Sequence, residues 1–272
     1  MDHSKIVMSD LSAARTQWLA KAIEKQIKQI YKDRPSVSVE RDAAFKLLLN
    51  EIIENTAKVS AEQTISVFSD ERIKPVFVSD DTVILRPVSL VDADFYLHVK
   101  MQYSPMYQAV FRAKSSEREA LFRFDICRPE SFFCIIKSVK TGSPVGYLGI
   151  MNTLHEPWEI AIELDSRFTN QGFGSRSIRL FLSEISRVTG KTTFRAAVEA
   201  DNVPSQKCFE KLGAQIVALE NMLPQIPDEA DRFEREHLSF IDDNMLAVAA
   251  KLRVDPQILL THALIYQIDC TS

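Results

Sequence analysis

The feature that most constrains the fold is a pair of glycines placed between a strand and a helix. Residues 158–164 alternate apolar and other side chains (WEIAIEL), which is typical of a half-buried strand. Ile178 and Phe181 then begin an apolar series at helical spacing. Gly172 and Gly174 lie between the two elements, where glycine lets a ligand approach the backbone and the first helical turn leaves N–H groups unpaired. This unit is therefore predicted to bind an anion such as a diphosphate.

Two other phosphate-binding motifs are excluded by single positions. A P-loop ending at residues 190–192 (GKT) would need a glycine at position 185, which is Ile185. A dinucleotide-binding fingerprint would need a third glycine at position 177, which is Ser177. A plain glycine turn with a capping serine remains the alternative to a phosphate site.

A second motif begins about thirty residues later with Asn202-Val203-Pro204-Ser205 and ends at Gly213. Asn202 and Ser205 lie where a short helix is predicted to start, and small polar side chains at such positions cap free N–H groups. Capping and ligand binding are compatible, so the motif alone does not choose between them.

Together, the order and spacing of the two motifs resemble the acyl-CoA-binding halves of the GCN5-related N-acetyltransferase (GNAT) family. The Leu-Arg-Pro of residues 85–87, followed by Asp92 and Ala93, resembles the start of the RimJ/RimL-like branch, whose members acetylate ribosomal-protein N-termini. The resemblance covers residues 82–220 and Ala263–Ile268. It implies an α/β fold with a mixed, mostly antiparallel central sheet flanked by helices, and acetyl-CoA as the acyl donor.

The resemblance also implies a set of cofactor contacts. The Leu164 backbone would pair with the pantetheine amide, and Asn202 would contact the pantetheine arm. Independently of the resemblance, Arg176 and Arg179 would add positive charge beside the turn that is predicted to hold the diphosphate. The residues expected to bind the cofactor are Leu164, Thr169, Asn170, Gln171, Gly172, Phe173, Gly174, Ser175, Asn202, Ser205 and Phe209.

Two positions depart from the family pattern. Thr169 stands three residues before the first glycine, where Arg or Gln is usual. Phe209 stands where many relatives have a tyrosine that protonates the leaving thiolate, and phenylalanine cannot donate a proton. Cys208, Ser205 and water remain as alternative donors.

The chemistry expected of such a site is direct attack of an amine on the thioester, which needs a general base but no protein nucleophile. Glu159 and Glu163 are the predicted bases because they share one face of the strand at residues 158–164 and could hold a cationic amine there. Glu159 also matches a glutamate common in RimJ/RimL-like relatives. His155 is a third candidate, and a solvated outer strand face is the alternative interpretation of both glutamates.

Composition sets only outer limits. The net charge of −4 gives no support to nucleic-acid binding, and the 46% apolar and 26% charged residues are typical of soluble globular proteins. No apolar run reaches membrane-spanning length, and the N-terminus lacks a signal-peptide core. The four cysteines show no metal-type pairing. We therefore expect a cytoplasmic protein with reduced thiols and no metal.

Two regions are predicted along the chain. Residues 1–78 form an N-terminal helical region that packs on the main domain, on a second copy in a homodimer or on another protein. Residues 79–272 form the GNAT-like acyltransferase domain, with a helical insertion at about 221–258. The predicted function is acetyl transfer to an amine, either a protein N-terminus or a small molecule. The alternatives are a longer acyl-CoA donor, or a regulatory protein that binds CoA or a partner without turnover.

Overall fold

A computed structural model describes residues 9–18, 21, 78–103, 115–126, 130–154, 156–222 and 227–270. Its strands are β1 (Val78–Ser79), β2 (Val83–Pro87), β3 (Phe132–Ser138), β4 (Pro144–Asn152), β5 (Trp158–Leu164), β6 (Thr193–Glu199), β7 (Gln215–Asn221) and β8 (His262–Asp269). Its α-helices are α1 (residues 10–18), α2 (Ala93–Tyr103), α3 (Ser115–Ile126), α4 (Phe173–Thr189), α5 (Val203–Glu210), α6 (Pro227–Glu236) and α7 (Asp243–Leu252).

The strands form one eight-stranded sheet in the order β1-β2-β3-β4-β5-β6-β8-β7. Within the described ranges, every neighbouring pair is antiparallel except β5 and β6. Those two strands are parallel because α4 carries the chain back between them, as a parallel connection requires. The predicted fold class, a mixed and mostly antiparallel sheet flanked by helices, is confirmed.

Helices cover both faces of the sheet, and β3 shows how the sequence encodes this. Phe132, Cys134 and Ile136 point to the face that packs on α4, whereas Phe133 and Ile135 point to the face under α2 and α3. All five side chains are buried, so residues 132–136 form a continuous apolar run with no polar alternation. The sheet therefore lies between two hydrophobic cores.

One helix, α3, is not predicted by the sequence patterns above. Phe122 belongs to it, is fully buried, and packs edge-on against Tyr96 of α2 with ring centroids 5.5 Å apart. Phe122 therefore belongs to the hydrophobic core beneath α2 and α3.

The insertion predicted at about 221–258 contains α6 and α7. The cap of α7 is local: Asp242 Oδ1 accepts a hydrogen bond from the Met245 N–H at 2.8 Å. His155 and residues 22–77 lie outside the described residues, so the division into two regions stays a prediction. Among the helices of the described ranges, none has the length and apolar character needed to span a membrane.

Candidate active site

The sheet opens into a cleft between β5 and β6. In the described part of the chain, these parallel strands pair only through Trp158 with Phe194 and Glu159 with Arg195. Beyond Glu159, no strand of the described ranges pairs with β5 on this side, so the cleft widens toward the carboxyl ends of both strands. A linear ligand could hydrogen-bond along this free edge.

The hydrogen bonds of β5 to β4 show which backbone groups face the cleft. The N–H of Asp165 donates to the Val145 carbonyl across 2.9 Å, and Leu164 lies opposite Gly146. In an antiparallel pair this pattern turns the N–H and C=O of Leu164 away from β4. Because the orientation repeats every second residue, Ile162 presents its backbone groups on the same side. The cleft is therefore lined by backbone groups of Ile162 and Leu164.

The glycine-rich turn follows β5 and is shaped by its own side chains. The buried Asp165 carboxylate accepts hydrogen bonds from the Arg167 backbone N–H and guanidinium. Burial alone would raise the pKa of Asp165, but these hydrogen bonds outweigh burial and hold that pKa below its ordinary value. The Thr169 hydroxyl donates to the Ser166 carbonyl at 2.9 Å, and the Gln171 side-chain amide donates to the Arg167 carbonyl at 2.7 Å. Thr169 and Gln171 therefore fix the turn from within.

At the end of this turn, a group of backbone donors is free. Asn170 and Gly172 have positive φ values of 59° and 84°, which bend the chain into α4. The N–H groups of Gly172, Phe173 and Gly174 make no hydrogen bond to an acceptor within residues 156–222, all of which are described. With Ser175 in the same first helical turn, these donors form the kind of helix start that binds phosphate.

Gly174 is the point at which the two sequence motifs meet. A Cβ atom on Gly174 would lie 3.4 Å from the Cys208 Sγ, 3.6 Å from the Leu164 Cδ1 and 4.0 Å from the Ile162 Cδ1. The start of α4, the end of β5 and the middle of α5 therefore converge beside the cleft.

Positive charge beside the turn is partly neutralised. Arg176 Nε lies 2.6 Å from Asp80 Oδ2, and the same guanidinium also pairs with Asp81, both in the turn between β1 and β2. Arg179 is exposed and forms no ion pair within the described ranges. The expected contribution of Arg176 to anion binding is thus shared with two carboxylates, which leaves the backbone N–H groups as the principal donors.

The second motif forms the start of α5. Asn202 Oδ1 accepts a hydrogen bond from the Ser205 N–H at 3.1 Å, as a capping residue does. Phe209 is only 3% exposed, and its ring stacks on Tyr266 with centroids 5.8 Å apart. Burial raises the pKa of the Cys208 thiol, so this cysteine lacks the thiolate character that a nucleophile needs.

Glu163 lies at the open end of β5, beneath α2. Its Oε1 is 2.6 Å from Lys100 Nζ, and its Oε2 accepts a hydrogen bond from the Tyr147 hydroxyl at 2.5 Å. The side chain is only 24% exposed. The alternative of a solvated strand face therefore does not describe Glu163, whose carboxylate is oriented by a primary ammonium group and a phenol.

Glu159 lies at the closed end of the same strand. Its Oε2 accepts a hydrogen bond from Arg195 Nε at 2.8 Å, and Arg195 also donates to Glu220 at 2.5 Å. The two glutamates share a face of β5 with Ala161, which packs against the core under α2 and α3. Each glutamate therefore has a cationic partner of its own on the side of the sheet opposite α4.

Four residues of α2 reach this site without having been predicted, and one of them is His98, whose Nε2 lies 3.3 Å from Asp165 Oδ2. Besides Lys100, the Tyr103 hydroxyl donates to the Leu164 carbonyl at 2.5 Å, and Gln102 Oε1 accepts a hydrogen bond from the Ser166 N–H at 2.8 Å. The available signal was the opposite charge of Lys100 and Glu163, which are 63 positions apart. Opposite charge alone does not identify two residues so far apart as a pair. The pair becomes evident only when the fold places α2 over β5.

Comparison with known proteins gives the family that this chain resembles. A family model described as an acetyltransferase (GNAT) domain matches residues 82–215, from the start of β2 to the first residue of β7. Both motifs and both predicted bases fall within the match. No curated protein sequence matches the chain significantly.

Solved structures of acetyltransferases are also similar to this chain. The GNAT-family acetyltransferase from Bacillus anthracis is 14% identical, with 71% of this chain and 98% of that one covered, at a TM-score of 0.49. The ribosomal-protein-S5-alanine acetyltransferase from Vibrio fischeri is 11% identical, with 72% of this chain and 98% of that one covered, at a TM-score of 0.44. The ribosomal L7/L12 alpha-N-protein acetyltransferase RimL is 14% identical, with 72% of this chain and 98% of that one covered, at a TM-score of 0.44.

Proposed function

We propose that this chain, a member of the GNAT acetyltransferase family, transfers an acetyl group from acetyl-CoA to an amine by direct attack in a ternary complex. The observation that carries the proposal is the cleft between β5 and β6. There the backbone groups of β5 that face away from β4 lie beside N–H groups of the glycine turn that bond no acceptor within residues 156–222. Such an arrangement suits a long ligand that has amides at one end and a diphosphate at the other.

In this proposal, the cofactor lies along the cleft. The pantetheine amides bind the backbone of Leu164, with Asn202 and Ser205 on the opposite wall at the start of α5. The diphosphate binds the turn, within reach of its free N–H groups. The residues that surround the turn are Thr169, Asn170, Gln171, Gly172, Phe173, Gly174 and Ser175. Phe209 supports α5 from behind through its contact with Tyr266.

The acceptor amine approaches from the face that carries Glu159 and Glu163. The amine nitrogen attacks the thioester carbonyl, a carboxylate takes its proton, the C–N bond forms, and the C–S bond breaks to release the CoA thiolate. The contact of Lys100 with Glu163 supports the choice of substrate class, because it shows that this carboxylate already binds a primary ammonium group. Protein N-termini and small-molecule amines both carry that group.

In this scheme the leaving thiolate is protonated, through solvent, by the proton that the carboxylate took from the amine, because a carboxylic acid is a stronger acid than a thiol. Burial, together with the charges of Glu163 and Asp165, raises the pKa of Tyr103 to about 12. A thiol ordinarily titrates near a pKa of about 8.5, so transfer of a proton from Tyr103 to the thiolate would be unfavourable. Phe209 has no proton to donate. The role of Tyr103 is therefore to orient the Leu164 carbonyl.

A regulatory protein that binds CoA without turnover is the second candidate. One observation favours it: Glu159 and Glu163 are both engaged in ion pairs, so an acceptor amine must displace or share a cation before either can act as a base. This candidate retains the same cofactor cleft and differs from the first only in catalysis.

The test is amine-dependent release of the CoA thiol. The purified full chain is incubated with acetyl-CoA and separate pools of N-terminal peptides and small amines, and acetylated products are identified by mass spectrometry. Thiol release that depends on one pool, with the matching product, is the expected result. Acetyl-CoA binding with no release in any pool would favour the regulatory candidate.

A further inference from the structure

Helix α1 lies outside the matched domain yet packs tightly against it. Leu11 is 3% exposed and belongs to the core on the α4 side of the sheet. Trp18 meets Phe233 of α6 edge-on with ring centroids 5.4 Å apart, and the Arg232 guanidinium lies 4.6 Å from the Trp18 ring centroid. Both ends of α1 are therefore anchored.

Between these anchors, Arg15 reaches the segment that follows β6. Its guanidinium pairs with Asp201 and lies 3.3 Å from Glu199 Oε2, and the side chains of Arg15 and Asp201 are only 7% and 10% exposed. Arg15 Nη1 also donates to the Met222 sulfur at 3.4 Å, and the Ser9 hydroxyl donates to Asp201. Asp201 is therefore held by two residues of the N-terminal segment.

This segment is the turn that connects β6 to α5. The Asn202 N–H donates to the Glu199 carbonyl at 2.9 Å, and the Gln206 side chain donates to the Ala200 carbonyl at 2.7 Å. Asn202 in turn caps Ser205 at the start of α5. A displacement of the turn would therefore move the first turn of α5, which forms one wall of the cleft.

We infer that Arg15 is a positioning residue of the acyl-CoA site, acting through Asp201 on Asn202. The inference rests on the proposed function, because it assigns to Asn202 a contact with the cofactor. In this inference α1 supports the cofactor site from outside, although α1 ends more than sixty positions before the family domain begins (18 to 82). The N-terminal segment then determines cofactor affinity without touching the cofactor.

The test compares four full-length proteins: wild type, Arg15→Lys, Arg15→Met and Arg187→Met. Arg187 is the matched control, because it forms an ion pair with Glu184 at 2.5 Å on the exposed side of α4. The measurements are the KM for acetyl-CoA, the kcat at saturating acetyl-CoA, and hydrogen exchange of the first-turn amides of α5. Arg15→Lys keeps the charge but loses the fork that reaches two carboxylates.

We expect the KM for acetyl-CoA to rise by about 5-fold to 150-fold in Arg15→Met, the usual range for coupling between separate sites. The increase should be smaller in Arg15→Lys and absent in Arg187→Met. The kcat should change little, and the Ser205 amide should exchange faster in the two Arg15 variants. A role confined to global stability would instead speed exchange throughout the protein and leave the KM unchanged.

Unchanged KM and unchanged Ser205 exchange in a folded Arg15→Met protein would overturn the inference. If Arg15→Met does not fold, the same two readouts in Arg15→Lys decide the question. Failure of the wild type to bind acetyl-CoA would be a different result, since it would overturn the proposed function itself and the inference with it.

Discussion

The hydroxyl of Tyr103 donates a hydrogen bond to the Leu164 carbonyl across 2.5 Å and thereby joins the end of α2 to the cleft-facing edge of β5. Burial is the main reason why the pKa of Tyr103 rises to about 12, and the charges of Glu163 and Asp165 add to it. The phenol therefore keeps its proton at neutral pH and remains a donor. The direction of the Leu164 carbonyl is fixed by this bond.

Tyr103→Phe should weaken both stability and cofactor binding. A hydrogen bond of this kind contributes about 0.5–1.5 kcal/mol, so the free energy of unfolding should fall by that amount. The KM for acetyl-CoA should rise by up to about tenfold. Urea denaturation and initial-rate kinetics measure the two effects. Tyr266→Phe is the matched control, because within the described residues the Tyr266 hydroxyl has no hydrogen-bond partner. An unchanged KM for acetyl-CoA in Tyr103→Phe would show that the orientation of the Leu164 carbonyl does not contribute to cofactor binding.

Stability should fall at alkaline pH, and Tyr103 and Tyr266 account for part of the loss. Burial raises the pKa of Tyr103 and of Tyr266 to about 12, from an ordinary value of 10.0. Above the ordinary value the unfolded chain loses phenolic protons that the folded protein retains. The stability contribution is therefore complete below about pH 10 and is lost as the pH rises toward about 12.

Unfolding free energies at about pH 9 and about pH 11 test this dependence. The decrease between these two pH values should be smaller in Tyr266→Phe than in the wild type, because one raised pKa has been removed. Equal decreases in the two proteins would contradict the assignment to Tyr266.

Glu163→Gln and Glu159→Gln should separate catalysis from binding. A general base contributes about 10²–10⁴-fold to the rate, so the kcat should fall by that factor in the variant that removes the base. The dissociation constant for acetyl-CoA should stay unchanged, because both carboxylates lie on the face opposite α4. Glu184→Gln is the control, since Glu184 is paired with Arg187 on α4, away from β5. If turnover were unchanged in both Glu159→Gln and Glu163→Gln, neither glutamate would be the general base.

Gly172→Ala should reduce acetyl-CoA affinity, and Gly142→Ala should not. Both glycines have positive φ (84° and 68°), and a Cβ atom at either would meet nothing within 4 Å. Each substitution therefore costs about 1–2 kcal/mol of backbone strain. At Gly172 alone the added methyl group and the altered turn would disturb the free N–H donors. Thermal unfolding should show similar losses, whereas calorimetry should show about tenfold weaker binding only for Gly172→Ala. If Gly172→Ala and Gly142→Ala bound acetyl-CoA with equal affinity, the diphosphate would bind somewhere other than this turn.

The parts of the fold that follow from short-range patterns were predictable. The alternation in residues 158–164 gave β5, and the apolar spacing after Gly174 gave α4. The capping pattern at Asn202 gave the start of α5. Each of these elements is specified by residues within a few positions of one another, so its local physical chemistry is sufficient.

The parts of the site that depend on long-range packing were not predictable. Lys100 and Arg195, the cationic partners of the two glutamates, come from α2 and β6, and only the assembled sheet brings them together. The pairing of Arg176 with Asp80 has the same origin, and it alters the charge that the sequence indicated beside the turn. Helix α3 was not predicted, and the contact of its Phe122 with Tyr96 of α2 likewise depends on tertiary packing.

The account depends most on acetyl-CoA binding in the cleft beside Gly174, and calorimetric titration of three proteins tests this directly. Wild type should bind one acetyl-CoA per chain. Gly174→Ala should retain binding, because its Cβ would keep contacts of 3.4 Å or more, whereas Gly174→Trp should fold and lose binding as the indole fills the junction of α4, β5 and α5. Equal binding by wild type and a folded Gly174→Trp protein, or no binding by the wild type, would contradict the account.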